Sequence, residues 1–272
     1  MGGYYGIDQL FRAIKDAAFP TRCLGCDQLY RPPTVEAEVS EQIDPDRRFR
    51  HLVADALCSR CARIEWVAPP LCTACGRPFA TSSGVDHRCT DCLKHRYCFD
   101  RARSVGVYGN ALQLLVSFLK YQGAVQLAAP LGRLMWDHLI TFQDMGEVDR
   151  IVPVPLHWRR LRRRGFNQAE LLLRHWPGLI DGRGAVLLRG KVTVNALARI
   201  RFTASQTGLG PEERQQNLRQ AFKVKHPEQI KGCRVLLVDD VFTTGATVDA
   251  CARALKRSGA DAVHVFTLAR AV

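Results

Sequence analysis

Short apolar runs alternate with amphipathic segments along the second half of the chain. Val235 to Val238 is a continuous apolar run with β-branched ends, and its length predicts a central parallel strand covered on both faces. Residues 246–257 have the composition of a helix, and Ala262 to Leu268 predicts a final strand. This succession favours an α/β fold with a parallel sheet.

Further elements are predicted upstream of this unit. Residues 102–108 alternate enough to predict an edge strand, and the segments 111–121 and 125–145 carry helical periodicity. The first of these helices ends just before a glycine, which is a common stop signal. Lys120 and Tyr121 in its last turn either face a ligand or belong to a plain helix C-terminus.

A rigid loop is predicted at Ile151-Val-Pro-Val-Pro-Leu-His157, because its two prolines forbid a regular interior strand beyond Val152. A further helix then begins at Gly165-Phe-Asn-Gln168. Between the loop and this helix lie five arginines: Arg159, Arg160, Arg162, Arg163 and Arg164. They cannot all lie on one helical face and therefore predict a charged collar that could hold an anion. An exposed basic turn without a ligand is the alternative.

Composition limits the classes of protein to consider. The 272 residues, 47% of them apolar, can bury one medium α/β core and still carry a small second module. No apolar run reaches the roughly 18 residues of a membrane span, and residues 1–20 predict a short amphipathic helix, not a signal peptide. The net charge of +13 implies anionic partners, either nucleic acid or a pyrophosphate compound. A solvated basic surface without a partner is the alternative.

Cysteine spacing predicts metal sites. Eleven cysteines in a chain without an export signal favour metal or reduced thiols in the cytoplasm over disulfides. Eight of them form four Cys-x-x-Cys pairs: Cys23/Cys26, Cys58/Cys61, Cys72/Cys75 and Cys89/Cys92. Two pairs close one tetrahedral structural zinc site, so the pattern predicts two zinc ions, with buried or redox thiols as the alternative. Pairing in chain order gives two tandem ribbons, whereas an interleaved cross-brace has the same spacing.

The metal is first a folding device, because a module this small lacks a sufficient core of its own. Between Cys26 and Cys58, residues 34–50 form an acidic insert that contains a proline. That composition predicts a loop or a partly disordered arm.

The residues after Val238 combine acids with a hydroxyl-rich turn. Two carboxylates, Asp239 and Asp240, are predicted where the strand ends, and the turn that follows consists of Thr243, Thr244, Gly245, Ala246 and Thr247. Backbone N–H groups, threonine hydroxyls and a helix N-terminus together form a phosphate cradle. The acids repel a polyphosphate but accept hydrogen bonds from hydroxyls, so a sugar with a terminal phosphate fits. An ordinary strand–turn–helix is the alternative.

Residues 235–247, Val-Leu-Leu-Val-Asp-Asp-Val-Phe-Thr-Thr-Gly-Ala-Thr, resemble the phosphoribosyl pyrophosphate (PRPP) loop of type I phosphoribosyltransferases. The resemblance implies that Asp239 and Asp240 hold the ribose hydroxyls and that residues 243–247 hold the 5′-phosphate. It also implies magnesium bound with PRPP. The pyrophosphate loop of the family corresponds to Pro155, Leu156 and His157.

The stretch Val152-Pro-Val-Pro-Leu-His-x-x-Arg-Leu-Arg-x-Arg-Gly-Phe-Asn-Gln168, together with the four cysteine pairs, resembles the ComF family of competence-associated proteins over nearly the whole chain. The resemblance implies a double zinc ribbon over 21–98, after the helix of 1–20, and a phosphoribosyltransferase-like domain over 99–272. It further implies a role in natural transformation, with single-stranded DNA and the uptake machinery as partners. The charge of the five arginines, together with the zinc ribbons, could contact the phosphates of such a strand. An uptake factor that keeps the fold without catalysis is the alternative. No segment identifies an acceptor.

The stretch from Arg199 to Asn217 is polar and contains glycine. Its position between the pyrophosphate loop and the PRPP loop matches the mobile hood of the family, which closes over the sugar and excludes water. The matching polar residues are Arg201, Thr203, Gln206, Arg214 and Asn217, and Arg201 is expected to be catalytic together with the acid pair. A surface hairpin is the alternative.

Overall fold

The computed structural model describes residues 21–33, 44–81, 83–141, 148–176, 191–201 and 220–272. The predicted helix over 1–20 and most of the predicted hood, including Thr203, Gln206, Arg214 and Asn217, lie outside the described residues. The described helices are α1 (Pro45–Leu52), α2 (Thr90–Lys94), α3 (Asn110–Tyr121), α4 (Ala128–Leu139), α5 (Trp158–Arg164), α6 (Gln168–Leu173) and α7 (Ala246–Arg257). The described strands are β1 (Thr21–Arg22), β2 (Leu29–Tyr30), β3 (Arg101–Val107), β4 (Arg150–Pro153), β5 (Leu197–Arg199), β6 (Phe222–Val224), β7 (Arg234–Phe242) and β8 (Ala262–Arg270).

A four-stranded parallel sheet in the order β3-β8-β7-β4 forms the centre of the fold. The predicted edge strand, the central parallel strand and the final strand are all confirmed. The end predicted for the central strand is wrong, because β7 continues beyond Val238 to Phe242. Asp239 pairs with Thr267 of β8, and Phe242 pairs with Arg270, so the acids lie within the sheet and not after it.

Apolar side chains cover both faces of this sheet. On one face, Leu236 and Val238 of β7 belong to a buried cluster that also contains Leu115 of α3. On the other face, Val235 and Leu237 pack in a second cluster with Leu255 of α7. Cysteines join both clusters: Cys23 and Cys58 join the first, and Cys72, Cys75, Cys89 and Cys92 join the second. The hydrophobic core is therefore continuous between the cysteine-rich segments and the sheet.

The acidic insert contains a helix where a loop is predicted. Pro45 occupies the first turn of α1, and the Asp44 carboxylate accepts a hydrogen bond from the Arg47 N–H at 3.0 Å. Both features are strong signals for a helix start. Phe49 on this helix is fully buried, and apolar burial therefore holds the segment against the core. Residues 34–43 lie outside the described part of the chain.

The helix predicted over residues 125–145 is shorter than expected. A 3₁₀ turn covers Val125–Leu127 and α4 covers Ala128–Leu139, while residues 142–147 are not described. The predicted helices over 111–121 and 246–257 are confirmed as α3 and α7. None of the helices in the described ranges is long and apolar enough to cross a membrane.

Candidate functional site

Two buried acids form the floor of a cleft at the C-terminal end of β7. Asp239 is 8% exposed and Asp240 is 3% exposed. The Asp240 carboxylate forms an ion pair with Lys120 at the end of α3, with 2.8 Å between Nζ and Oδ2. The Asp240 N–H donates a hydrogen bond to Oδ1 of Asp239 at 2.9 Å. The sheet and α3 together therefore place one cation against two carboxylates.

The pair has unusual protonation properties. Burial and the adjacent Asp240 charge raise the pKa of Asp239 to about 8, although Lys120 partly opposes the rise. Burial lowers the pKa of Lys120, but the two carboxylates outweigh it and the pKa lies above its ordinary value. Lys120 therefore stays charged at neutral pH, whereas Asp239 readily takes a proton. Such a floor suits a ligand that donates hydrogen bonds or brings its own cation.

The turn after β7 presents donors toward the same cleft. Thr243 and Thr247 line it, and α7 begins directly after Gly245. This glycine has a φ of +78°, and a Cβ there would lie 2.7 Å from Cζ of Phe242, so only glycine fits without strain. The Thr244 hydroxyl accepts a hydrogen bond from the Ala246 N–H at 3.4 Å. Thr243, Thr247 and the first turn of α7 thus remain available to a phosphate.

The loop after β4 forms another part of the cleft wall. Pro155 and Leu156 line the cleft, which has a volume of about 340 Å³. His157 is buried, and its Nδ1 accepts a hydrogen bond from the Arg159 N–H at 3.3 Å, which caps α5. Burial, reinforced by Arg199, lowers the pKa of His157. Of the three residues predicted for the pyrophosphate loop, Pro155 and Leu156 line the cleft and His157 positions the adjacent helix.

The five arginines divide into two groups because they lie on a helix. Arg159 and Arg162 each place the guanidinium 5.3 Å from the centre of the Trp158 ring. The remaining three, Arg160, Arg163 and Arg164, line a second, basic cleft of about 450 Å³ together with Lys120, Tyr121 and Gly123. The five arginines therefore do not form the single collar predicted from sequence. Arg159 and Arg162 form a surface with Trp158, and the other three line the basic cleft.

Two residues, Lys120 and Arg199, contribute more to the cleft than the sequence patterns indicate. The pattern is equally consistent with Lys120 as a ligand contact or a helix end, and the structure places it against Asp240. Arg199 is predicted only to border the hood, yet it lines the acid cleft with its guanidinium 5.4 Å from the Phe222 ring. The sequence signal that could have identified Arg199 is a charged residue in a short strand next to a polar segment. Arg201, predicted to be catalytic, is exposed and lines neither of the two clefts.

The eight paired cysteines form two compact groups in chain order. Cys23, Cys26, Cys58 and Cys61 make one group, and Cys72, Cys75, Cys89 and Cys92 make the other, with all four sulfurs of each group within 4.8 Å of one another. This arrangement is the tandem one and not the cross-brace.

Both groups fit a tetrahedral zinc ion. Zn–S bonds of about 2.3 Å place the sulfurs of a tetrahedron roughly 3.8 Å apart, and the Sγ atoms of Cys26 and Cys58 are separated by 3.8 Å. The same distance separates Cys75 and Cys89. The Cys89 N–H also donates to the Cys72 sulfur at 3.3 Å, which lowers the pKa of the Cys72 thiol despite its burial. Each group therefore has the donors and the spacing of a closed structural site.

Comparison with known proteins agrees with this architecture. A model of the phosphoribosyl transferase domain matches residues 185–271. DNA utilization protein YhgH of Salmonella typhimurium is 38% identical over 79% of this chain and 90% of its own length. Competence protein F of Haemophilus influenzae is 31% identical over 81% and 93%, respectively. Competence protein ComFC of Bacillus subtilis is 26% identical over 91% and 94%.

Proposed function

Because the chain belongs to the ComF family, we propose that it binds PRPP with magnesium in the acid cleft and acts in the uptake and use of DNA in the cytoplasm. The names of its relatives, which refer to DNA utilization and competence, support the process. The phosphoribosyl transferase domain match supports the ligand. The chain is a phosphoribosyltransferase if the bound ligand reacts.

One observation carries the ligand assignment: the buried acid pair and Thr243 and Thr247 of the following turn line a single cleft. Asp239 and Asp240 accept hydrogen bonds from the two ribose hydroxyls, which are neutral donors. Thr243, Thr247 and the N-terminus of α7 hold the 5′-phosphate. Magnesium, when bound, neutralises charge on the pyrophosphate oxygens.

The cations around the cleft are suited to a departing pyrophosphate. Lys120, Arg160 and Arg199 all line it. Positive charge placed before the reaction stabilises negative charge that develops on a leaving group. Lys120 already pairs with Asp240, so ligand binding must exchange that contact or bring a cation to replace it.

Isothermal titration with PRPP and MgCl₂ tests the assignment. Each hydrogen bond to a charged group contributes about 1.5–3 kcal/mol, so Asp239→Asn/Asp240→Asn is expected to weaken binding at least tenfold. Thr247→Val, which leaves the acid pair and Lys120 unchanged, is expected to weaken it by a similar factor. Asp91→Asn is the matched control, because this exposed carboxylate pairs with Arg77 away from the cleft. Absence of heat with the folded wild type would refute PRPP binding.

A second activity, binding of single-stranded DNA, is favoured by the exposed face of α5. Trp158 is 51% exposed, with Arg159 and Arg162 on its ring. Exposed aromatic rings between arginines stack bases while the cations contact phosphates. The pattern matches a strand that is held by its backbone and stacking, without sequence readout.

Fluorescence anisotropy with a labelled single strand, measured at several salt concentrations, checks this activity. An arginine that neutralises one phosphate adds about 0.7 to the magnitude of the salt slope, so Arg159→Ala/Arg162→Ala is expected to lower that magnitude by about 1.4. Trp158→Ala should weaken binding at every salt concentration without a comparable change in slope. Arg174→Ala, at the C-terminal end of α6, is the control, because this exposed arginine pairs with Glu170. An unchanged slope in the double variant would exclude this face.

A further inference from the structure

The basic cleft adjoins the acid cleft. Its lining consists of Lys120, Tyr121, Gly123, Arg160, Arg163 and Arg164, and three of these residues, Lys120, Tyr121 and Arg160, also line the acid cleft. A ligand in one cleft therefore lies next to a ligand in the other. The two cavities differ in chemistry, because one has carboxylates on its floor and the other has arginines.

Two charges of the basic cleft lack a carboxylate partner among the described residues. Lys120 is paired with Asp240, and Arg164 donates a hydrogen bond to the Gln168 side-chain oxygen at 2.6 Å. Within the described ranges, Arg160 and Arg163 have no carboxylate at ion-pair distance. Two guanidinium groups that converge on one cavity without a counterion favour an anion there, and guanidinium geometry favours phosphate.

The same cavity has an aromatic wall. Tyr121 is 70% exposed, although it ends a helix whose other apolar residues are mostly buried. The Arg164 guanidinium lies 5.6 Å from the centre of its ring. A planar heterocycle can stack on an exposed tyrosine beside an arginine, and such stacking is largely independent of base identity.

We propose that the basic cleft is a nucleotide-binding subsite, in which Arg160 and Arg163 hold a phosphate and Tyr121 stacks on the attached base. The proposal depends on the proposed function in one respect only: it makes this nucleotide the acceptor of the phosphoribosyl group. A neutral free base would gain little from two unpaired arginines, whereas a phosphorylated acceptor requires them. A free mononucleotide and the phosphorylated end of a nucleic acid strand share this chemistry.

Titration with four probes tests the subsite: adenosine, AMP, and one short single strand with either a 5′-hydroxyl or a 5′-phosphate. We expect AMP to bind more tightly than adenosine, and Arg163→Ala to weaken AMP or 5′-phosphate binding about tenfold while leaving adenosine unchanged. Tyr121→Ala should weaken both AMP and adenosine. The charge-matched control is Arg174→Ala, because this arginine lines neither cleft.

The probes also separate the two sources of the nucleotide. Binding of AMP that depends on Arg163 identifies a free mononucleotide, and binding confined to the 5′-phosphorylated strand identifies a nucleic acid end. The proposal is overturned if Arg163→Ala and Arg174→Ala behave alike with every probe, or if the phosphate adds no affinity. PRPP titrated into the same wild-type sample distinguishes the two hypotheses. If AMP binding depends on Arg163 but PRPP gives no heat, the proposed function is refuted and the subsite is retained. If PRPP binds but no probe depends on Arg163, the subsite is refuted and the proposed function is retained.

Discussion

Replacing Cys89 with serine is expected to remove one zinc ion per chain and abolish cooperative folding. Cys89 is buried in the same apolar cluster as Val235, Leu237 and Leu255, on one face of the central sheet. The cysteine group that could hold a metal ion therefore lies inside the main core and not in an appendage. Loss of the ion leaves polar sulfurs and a serine hydroxyl within that core, where unpaired polar groups are costly.

The size of the expected loss of stability follows from the free energy of zinc binding. Zinc binding stabilises small zinc-finger peptides by about 10–16 kcal/mol, whereas a whole domain is stable by about 5–15 kcal/mol. Losing one site can thus exceed the entire stability of the protein. Zinc content measured by atomic absorption should fall from two ions to one per chain, and the cooperative thermal transition seen by circular dichroism should disappear.

Cys233→Ser is the matched control. Cys233 is half-buried and contacts the Gln229 carbonyl at 3.4 Å through its sulfur, outside both cysteine groups. This variant should keep two zinc ions and melt within a few degrees of the wild type. A Cys89→Ser protein that retains both ions and the wild-type melting temperature would contradict the structural role of the metal.

Sequence patterns located the central strand and the turn after it because both signals are local. The apolar run at 235–238 and the residues 243–247 identify a buried strand and a turn that leads into α7 without knowledge of their neighbours. The length of β7 could not be predicted in the same way, because Asp239 and Asp240 have low strand propensity. Pairing with β8 and the ion pair with Lys120 keep the acids in the sheet, and both partners are distant in sequence.

The two largest misses have different causes. Helix α1 carries a readable signal, an Asp44 cap followed by Pro45, but the acidic and proline-containing composition of 34–50 outweighs it. The division of the arginines is not readable in advance. Which of them face Trp158 and which face a cavity depends on the orientation of α5 against the sheet. The hydrogen bond from the Asn167 amide N–H₂ to the Val154 carbonyl, at 3.1 Å, is one tertiary contact that ties the segment after α5 to the loop after β4.

Replacing Lys120 with methionine is expected to lower the free energy of unfolding by about 3–5 kcal/mol near pH 7, the usual cost of removing one partner from a buried ion pair. The side chains are 17% exposed for Lys120 and 4% exposed for Asp240, so water screens the pair poorly. Methionine fills similar volume but leaves two adjacent carboxyl groups in the cleft floor without their cation. Urea unfolding at several pH values measures the decrease.

The decrease in stability should grow as the pH rises. The pKa of Asp239 is raised in the folded state to about 8, so the folded protein binds more protons than the unfolded chain between about pH 4 and this value. Stability from this group is fully present below about pH 4 and declines as the pH increases through the folded pKa. Lys120 lowers the pKa of Asp239, and its removal raises that pKa further, which extends the decline in stability to higher pH. The lysine itself, whose pKa is raised, stays charged throughout this window.

The double variant Lys120→Met/Asp240→Asn separates charge from packing. With Lys120 and the Asp240 charge both removed, most of the stability should return, and the pH dependence between about 5 and 8 should become shallower than in Lys120→Met. The variants Lys120→Met, Asp240→Asn and the double variant form a double-mutant cycle. A coupling free energy near zero in this cycle would show that the two groups do not interact in the folded protein. A single variant as stable as the wild type at about pH 8 would show the same. Because Asp240 is also proposed to hold a ribose hydroxyl, the cycle measures how strongly the unliganded protein holds this acid before a ligand competes for it.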